Sequence, residues 1–250
     1  MRPAVWAETV KLTSSTVGRV GSVAVVVGIA VLSGAMLLAA ASGDPQLLAK
    51  LGPAATRDWS GFLLAAAQIT SAGGLLGFGV VLSWIFGREF GDGTITGLFA
   101  LPVRRSTIAV AKLLVYATWA VTMSLCLAAL LLLIGLIAGL GPLNTETWTA
   151  LARQVGLGIM TAAIAAPVAW AATLGRSVLA GVSVAIALVV IAQVSVLAGA
   201  GGWMPLAAPA LWGISSGQAV TLLQLGLVLP YVGVFILVVA SAWRMMQLDR

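Results

Sequence analysis

The sequence predicts an all-α integral membrane protein with six transmembrane helices. Its 250 residues are 61% hydrophobic and only 8% charged, and the mean hydropathy is +1.11. A soluble domain carries about 25% charged residues, so this chain has too little polar surface to cover a core in water. Its apolar runs are continuous rather than alternating, which favours spanning helices over a β-barrel. We expect one membrane domain over residues 1–250 and no sizeable soluble domain.

The polar composition excludes several classes of function. The chain has no histidine and one cysteine, Cys126, so His- or Cys-based metal sites and catalytic Ser–His or Cys–His pairs are excluded. None of its three lysines follows a glycine as a phosphate-binding loop requires, so we expect no ATP, Mg²⁺ or other cofactor on this chain. The net charge of +6 comes from basic residues at the ends of apolar runs, which indicates membrane topology and not nucleic-acid binding.

Residues 3–19 are predicted to form an amphipathic helix in the membrane interface. Its mostly apolar side is formed by Trp6, Val10, Thr13 and Val17. Its polar side is formed by Glu8, Lys11, Ser15 and Arg19. Such a helix places Trp6 at the level of the headgroups and its basic residues near anionic lipid. The alternative is a signal peptide, but the basic region is long and itself amphipathic, and the apolar run that follows is long enough to span.

Six apolar runs are long enough to cross a bilayer, which takes about 20 residues. They cover residues 20–41, 61–86, 108–140, 150–174, 178–197 and 219–243. The third run is longer than one bilayer needs, so we expect it to tilt or to protrude. Pro167 predicts a kink in the fourth run. Residues 198–217 are too broken by Gly and Pro to span and too apolar for an ordinary loop, which predicts a re-entrant or interfacial segment at the outer surface.

The distribution of basic residues predicts the orientation of the chain. Six spans put both termini on one side, and all but three of the 13 Lys and Arg lie on that side. The exceptions are Lys50, Arg57 and Arg153. Because basic residues stay on the cytoplasmic side, both termini are predicted to be cytoplasmic, and we expect the plasma membrane of a bacterial cell.

Residues 87–107 form a charged loop between the second and third runs, punctuated by Gly and Pro. A short helix is predicted from about Asp92 to Leu101, with Asp92 or Thr94 near its N-cap and Pro102 ending it. Its apolar side is formed by Ile95, Leu98, Phe99 and Leu101. This side needs a partner, although an interfacial helix without one is the alternative. The alternative reading of Glu89 is a local ion pair with Arg88 or Arg104, which adds little if the pair is exposed.

This stretch resembles the hallmark region of the ABC type-2 transporter permeases, the membrane subunits of ATP-driven exporters. The resemblance is carried by Glu89, the pair Gly93-Thr94, the pair Leu101-Pro102, the basic pair Arg104-Arg105 and Lys112. The layout of a helical N-terminus, six spans and a broken outer segment extends the resemblance over nearly the whole chain. It implies a cytoplasmic coupling helix that sits in a cleft of a partner ATPase. The implied coupling residues are Arg88, Glu89, Gly93, Thr94, Ile95, Leu98, Phe99, Leu101, Pro102, Arg104, Arg105 and Lys112.

The resemblance also implies an assembly and a cargo. Two permease subunits, identical or related, would surround a central path, and ATP and Mg²⁺ would be held by two ATPase subunits. A path through this chain is predicted at Gln68, Thr70, Ser71, Gln193 and Ser195. These residues are weakly polar and uncharged, which suits a hydrophobic or amphipathic drug, antibiotic, peptide or lipid that moves outward, with antibiotic resistance as the favoured role.

Two other functions stay open on the sequence. An ion-coupled carrier would work alone, but no acidic residue lies near the middle of a span, where ion coupling generally needs one. A non-transporting immunity or anchor subunit would recruit partners without moving a cargo.

Overall fold

The computed structural model describes residues 1–100 and 102–246. The predicted coupling residue Leu101 lies outside this part of the chain. The described residues form helices and no strands. Six of the helices are long and apolar enough to cross a membrane, which confirms the predicted all-α fold with six spans.

Ten α-helices follow one another along the described chain. They are α1 (Arg2–Ser14), α2 (Thr16–Ala41), α3 (Pro45–Leu51), α4 (Trp59–Gly91), α5 (Ile95–Phe99), α6 (Arg105–Ile137), α7 (Thr145–Leu174), α8 (Val178–Leu197), α9 (Ala208–Ile214) and α10 (Leu222–Met245). The spans are α2, α4, α6, α7, α8 and α10. We call the end of the bundle that holds α1 and α5 the termini end, and the end that holds α3 and α9 the far end.

Polar side chains cap the spans and set where they begin. Asp58, Asn144, Ser177 and Thr221 accept hydrogen bonds from backbone amides in the first turns of α4, α7, α8 and α10. The third span ends at Ile137 rather than at residue 140, because the backbone turns through positive φ at Gly139 and Gly141. Its 33 residues correspond to about 50 Å, so it is longer than a bilayer core of about 30 Å.

Several spans are interrupted. The fourth span is interrupted at Ala165, two residues before Pro167, at the place where the kink was predicted. The sixth span breaks at Leu227, just before Pro230. π-Helical turns lie within α2 at Ala24–Gly28 and within α4 at Thr70–Gly74.

The prediction of one helix over residues 3–19 is wrong. The first helix ends at Ser14, and Ser15 has extended backbone. The Ser15 hydroxyl accepts a hydrogen bond from the Gly18 amide at 2.9 Å, which starts a second helix that continues into the first span. The predicted polar side of this segment is also divided, because Glu8 is buried whereas Arg19 is exposed.

Residues 198–217 fold back at the far end without spanning. They form a turn of 3₁₀ helix at Gly201–Trp203 and then α9, which packs against α4 and α7. Ala207 and Ala208 are fully buried at the start of α9. The depth of this segment in a membrane remains a prediction.

Glycines let α4 and α8 approach each other closely. A Cβ atom added to Gly79 would lie 2.6 Å from the Cβ atom of Ala185, and one added to Gly87 would lie 2.6 Å from the backbone nitrogen of Val178. The Ser83 hydroxyl donates a hydrogen bond to the Val178 carbonyl between these two points. Small residues at such contacts allow helices to pack tightly where the hydrophobic effect is absent. The close packing fixes the position of the α4 end that carries Glu89.

Candidate functional site

Two lysines and two glutamates form a closed ring of charges at the termini end. We call Glu8, Lys11, Glu89 and Lys112 the charge ring. Lys11 Nζ lies 2.6 Å from Glu8 Oε1 and 2.7 Å from Glu89 Oε1. Lys112 Nζ lies 2.9 Å from Glu8 Oε2 and 3.1 Å from Glu89 Oε2. Each carboxylate therefore faces both ammonium groups, and the ring as a whole is neutral.

The charge ring joins three helices. Glu8 and Lys11 are three residues apart on α1, which places them on neighbouring positions of one helix face. Glu89 belongs to the last turns of α4 and is 2% exposed, and Lys112 of α6 is fully buried. Lys112 also donates a hydrogen bond to the Ile85 carbonyl of α4 at 2.9 Å. Charges at this depth need partners, so the ring holds α1, α4 and α6 in one arrangement.

One oxygen in the ring is held by charge alone. Glu89 Oε2 is buried and has no hydrogen-bond partner of acceptable geometry among the described residues. It still lies 3.1 Å from Lys112 Nζ, within the range of an ion pair. Its attraction to Lys112 is therefore Coulombic rather than a directed hydrogen bond.

The ring shifts the pKa values of the two residues on α1. Burial raises the pKa of the Glu8 carboxyl, but the charge of Lys112 and the hydrogen bond from Lys11 outweigh burial, so the pKa lies below its ordinary value. Burial lowers the pKa of the Lys11 ammonium, but hydrogen bonds to Glu8 and Glu89 outweigh it, so that pKa lies above its ordinary value. Both groups are therefore charged at neutral pH.

Aromatic side chains connect the short helix α5 to the charge ring. We call Phe86, Phe99 and Trp243 the aromatic bridge. The ring of Trp243 meets the rings of Phe99 and Phe86 edge to face, with centroids 6.0 Å apart in both pairs. Lys112 Nζ lies 5.7 Å from the centroid of Trp243, in cation–π range. Trp243 is fully buried, and its indole N–H donates to the Thr173 hydroxyl at 3.1 Å, so it touches α4, α5, α6 and α7.

The predicted coupling helix is shorter and more buried than expected. It covers Ile95–Phe99 rather than the predicted range of about 92–101, because positive φ at Gly93 turns the backbone just before it. Thr94 makes no side-chain cap. Ile95 is buried and Leu98 is half-buried against the core, so the apolar side of this helix packs on the protein itself.

Glu89 pairs with Lys11 and Lys112 and not with Arg88 or Arg104, which was the alternative that the sequence left open. Arg88 instead pairs with Asp92, at 3.4 Å between Nε and Oδ2, and lies over the ring of Trp84. The reason is helical geometry, since consecutive residues on α4 point about 100° apart and Glu89 faces inward. Arg105 lies over Phe99, with its guanidinium carbon 4.2 Å from the ring centroid, and also donates to the Met246 carbonyl.

The predicted coupling residues include a buried group and an exposed group. Arg88, Leu98, Phe99 and Arg105 are half-buried and lie between these extremes. Glu89 and Lys112 are inside the protein, in the charge ring, and do not contribute to a water-facing surface. The exposed members are Gly93, Thr94, Pro102 and Arg104. The role of either group in coupling remains a prediction.

The predicted path residues are not brought together in one channel. Ser71 and Gln193 line the same cavity, which has a volume of about 20 Å³ and holds little more than one water. Thr70 is fully buried and accepts a hydrogen bond from Gln154 Nε2 at 2.7 Å. The Ser195 hydroxyl donates to a carbonyl of its own helix, and Gln68 is half-buried. A path between two copies of the chain stays a prediction.

Four residues of these networks were missed from the sequence: Glu8 and Lys11 as ring members, Trp243, and Gln154. One signal was present for Glu8. The chain has only seven acidic residues, and this one lies in a segment whose other charges are basic. An acid on a surface that faces anionic headgroups is unfavourable, so it indicates a protein partner.

Comparison with known proteins adds one match. The model of a family described as ABC-2 family transporter protein matches residues 5–194. This range contains the whole charge ring and α5, and it ends before Trp243. No curated protein matches the chain.

Proposed function

Because the chain belongs to the ABC-2 family of transporter proteins, we propose that it is the membrane-spanning permease subunit of an ATP-driven ABC exporter. In this proposal two permease subunits, identical or related, form a dimer, and two ATPase subunits that hold ATP and Mg²⁺ bind its termini end. That end faces the cytoplasm of a bacterial cell. The chain itself then catalyses no reaction.

The observation that carries the proposal is the contact between Phe99 and Trp243. Phe99 belongs to a five-residue helix at the termini end, and Trp243 is fully buried among four other helices. Closely packed side chains pass on a displacement because they leave no empty space to absorb it. A push on α5 by an ATPase therefore reaches Phe86, Lys112 and Thr173 through one side chain. Stacking of Arg105 on Phe99 extends the connection to the start of α6.

The charge ring gives this mechanism a stiff junction. If α1, α4 or α6 moved alone, a buried charge would lose its partners, and removal of one partner of a buried pair costs about 3–5 kcal/mol. The ends of these helices are therefore expected to move together. Closure of the ATPases would then tilt spans as rigid rods, instead of bending one of them near the membrane surface.

We propose that the cargo is a hydrophobic or amphipathic compound that leaves the cell between two copies of the chain. A drug, an antibiotic, a peptide or a lipid fits this class, and resistance to an antibiotic is the favoured role. We place this interface on the outer surface of α8, which is apolar apart from Ser183, Gln193 and Ser195. Its exposed large side chains are Leu179, Ile186, Val190, Ile191, Val194, Val196 and Leu197.

Export can be tested by drug accumulation in cells that express this chain together with its ATPase. We expect lower accumulation of at least one drug from a broad hydrophobic panel than in cells without the pair. Phe99→Asp and Glu89→Ala should abolish the difference, whereas Thr96→Ala, an exposed position on the same helix, should preserve it. The amount of each variant in the membrane is measured in parallel. Equal accumulation across the panel with wild-type protein would refute export, and export by a normally abundant Phe99→Asp variant would refute the coupling contact.

The same assay in membrane vesicles separates the two alternatives. An ion-coupled carrier would move cargo along an ion gradient without ATP. The neutralisation of Glu8 and Glu89 by lysines argues against it, because a carboxylate locked in an ion pair is not free to exchange an ion. An immunity or anchor subunit would bind the ATPase, but no cargo would move.

A further inference from the structure

A groove of about 710 Å³ opens beside the charge ring, between α1, the start of α2 and α6. Its volume is in the range of about 300–1,000 Å³ that is usual for small-molecule sites. The walls include Val5, Leu12, Val23, Val115 and Met123, and the half-buried indole of Trp119. The groove lies where the first span begins. We therefore expect it at the level of the lipid headgroups and the upper acyl chains.

The polar side chains on the walls are already satisfied within the protein. Thr9, Thr13, Thr118 and Thr122 each donate to a backbone carbonyl four residues earlier in their own helix. The Trp119 indole N–H donates to the Ser22 hydroxyl at 2.9 Å. With their donors in use, these residues present mainly methyl and ring surface to the groove. The interior therefore suits a hydrocarbon chain.

The mouth of the groove carries one cation. Arg19 is exposed there, and it donates to the carbonyls of Ser14, at 2.8 Å from Nη2, and of Ser15, at 3.4 Å from Nε. A guanidinium has five N–H donors, so most of its capacity is open. Arg19 pairs with no carboxylate in residues 1–100 and 102–246, and no acidic residue lines the groove there.

We propose that this groove binds one anionic phospholipid, with the headgroup phosphate on Arg19 and an acyl chain along the wall to Met123. Arginine matches phosphate in charge and geometry, and the apolar interior matches the chain. The lipid would touch a face of α1 next to the one that carries Glu8 and Lys11. It would thus hold α1 against α6, whether or not the chain exports a cargo.

Quenching of tryptophan fluorescence by brominated lipids tests the proposal. The purified chain is placed in phosphatidylcholine nanodiscs that contain increasing fractions of either phosphatidylglycerol or phosphatidylcholine with brominated acyl chains. The chain has nine tryptophans, so the difference between wild type and Trp119→Phe isolates the signal of Trp119. We expect half-quenching of Trp119 at a mole fraction about fivefold lower for the brominated anionic lipid. Both lipids offer a phosphate to Arg19, but phosphatidylcholine also carries a choline cation that offsets the attraction, so the preference comes from the net charge alone.

Variants of Arg19 locate the headgroup. Arg19→Gln should remove this preference, and Arg19→Lys, which keeps the charge, should retain most of it. Arg2→Gln serves as the matched control, because Arg2 is an exposed arginine of α1 that does not line the groove. Circular dichroism and size exclusion show that the variants are folded. Equal quenching by the two lipids, or an unchanged preference in Arg19→Gln, overturns the proposal. Protection of Trp119 from both lipids also overturns it, because a second copy of the chain would then cover the groove.

Discussion

Replacement of Lys112 by methionine is the most direct test of the charge ring. Lys112 Nζ lies within 3.1 Å of Glu8 Oε2, of Glu89 Oε2 and of the Ile85 carbonyl. Methionine has a similar length and no charge, so it fills much of the same space. The substitution leaves two carboxylates beside Lys11 alone. The ring then carries one uncompensated negative charge, and of its remaining members only Lys11 is partly exposed to water.

The size of the effect follows from the loss of the buried partner. Breaking such a pair costs about 3–5 kcal/mol, most of it from the charge that is left behind. A second substitution, Glu89→Gln, removes that charge and keeps the pair of Glu8 and Lys11. The double variant Lys112→Met/Glu89→Gln should therefore be less destabilised than the sum of the two single variants. We expect a coupling of about 2–3 kcal/mol, in the upper part of the range for residues in contact.

The free energy of unfolding can be measured by titrating the purified protein in mixed micelles with sodium dodecyl sulfate and following its helix content. Lys50→Met is the control, because Lys50 is exposed on α3 and should change the free energy by no more than about 0.5 kcal/mol. If Lys112→Met costs no more than this control, the ring contributes nothing to stability. If the two single costs add within about 0.5 kcal/mol, the residues are independent and the reasoning is refuted.

Two further predictions use the same measurement. Gly135→Ala should lower the free energy of unfolding by about 1–3 kcal/mol, because the new Cβ atom would clash with the indole of Trp59. The indole cannot easily move away, since its N–H donates a hydrogen bond to a backbone carbonyl at the far end. Gly28→Ala is the control, because Gly28 has open space around it. The contribution of the ring, taken as the difference between wild type and Glu8→Gln, should stay constant between about pH 5 and pH 10. Because the pKa of Glu8 is lowered in the folded protein, the difference should fall as the pH drops below about 4.3, the ordinary pKa of a glutamate. Because the pKa of Lys11 is raised, the difference should also fall above about pH 10.4, the ordinary pKa of a lysine. A difference that grows in acid would contradict this.

The fold could be predicted because the bilayer allows few solutions. A run of about 20 apolar residues in lipid has to be a helix, so composition and run length were enough for the six spans. Pro167 located a break in the fourth span for a similarly local reason, since a proline disturbs the turn before it wherever it lies. The ends of helices were less predictable, because Gly93 and Gly139 stop helices through their own backbone angles.

The charge ring could not be predicted from local patterns. Glu8 and Lys11 have the same spacing whether their side of the helix faces water or another helix. Glu8 is buried because α1 packs against Glu89, near the end of one span, and Lys112, after the start of the next. Two helices joined by a short loop bring such residues to the same level, but the sequence does not say that α1 packs across both. Only the tertiary contacts turned four polar residues into one neutral cluster.

Neutralisation inside the ring changes which residues are left for partners at the termini end. The sequence placed Glu89 and Lys112 on one docking surface together with Arg104. Glu89 and Lys112 are buried and balanced by opposite charges, so under the proposed function an ATPase would meet Arg104, Pro102 and Thr94 instead. Its motion would then reach the interior through Phe99. The residues that contact the ATPase would then differ from those that transmit its motion to the spans. Substitutions at Arg104 should weaken binding of the ATPase and leave the stability of the bundle unchanged, whereas substitutions in the ring should destabilise the bundle even when no partner is present.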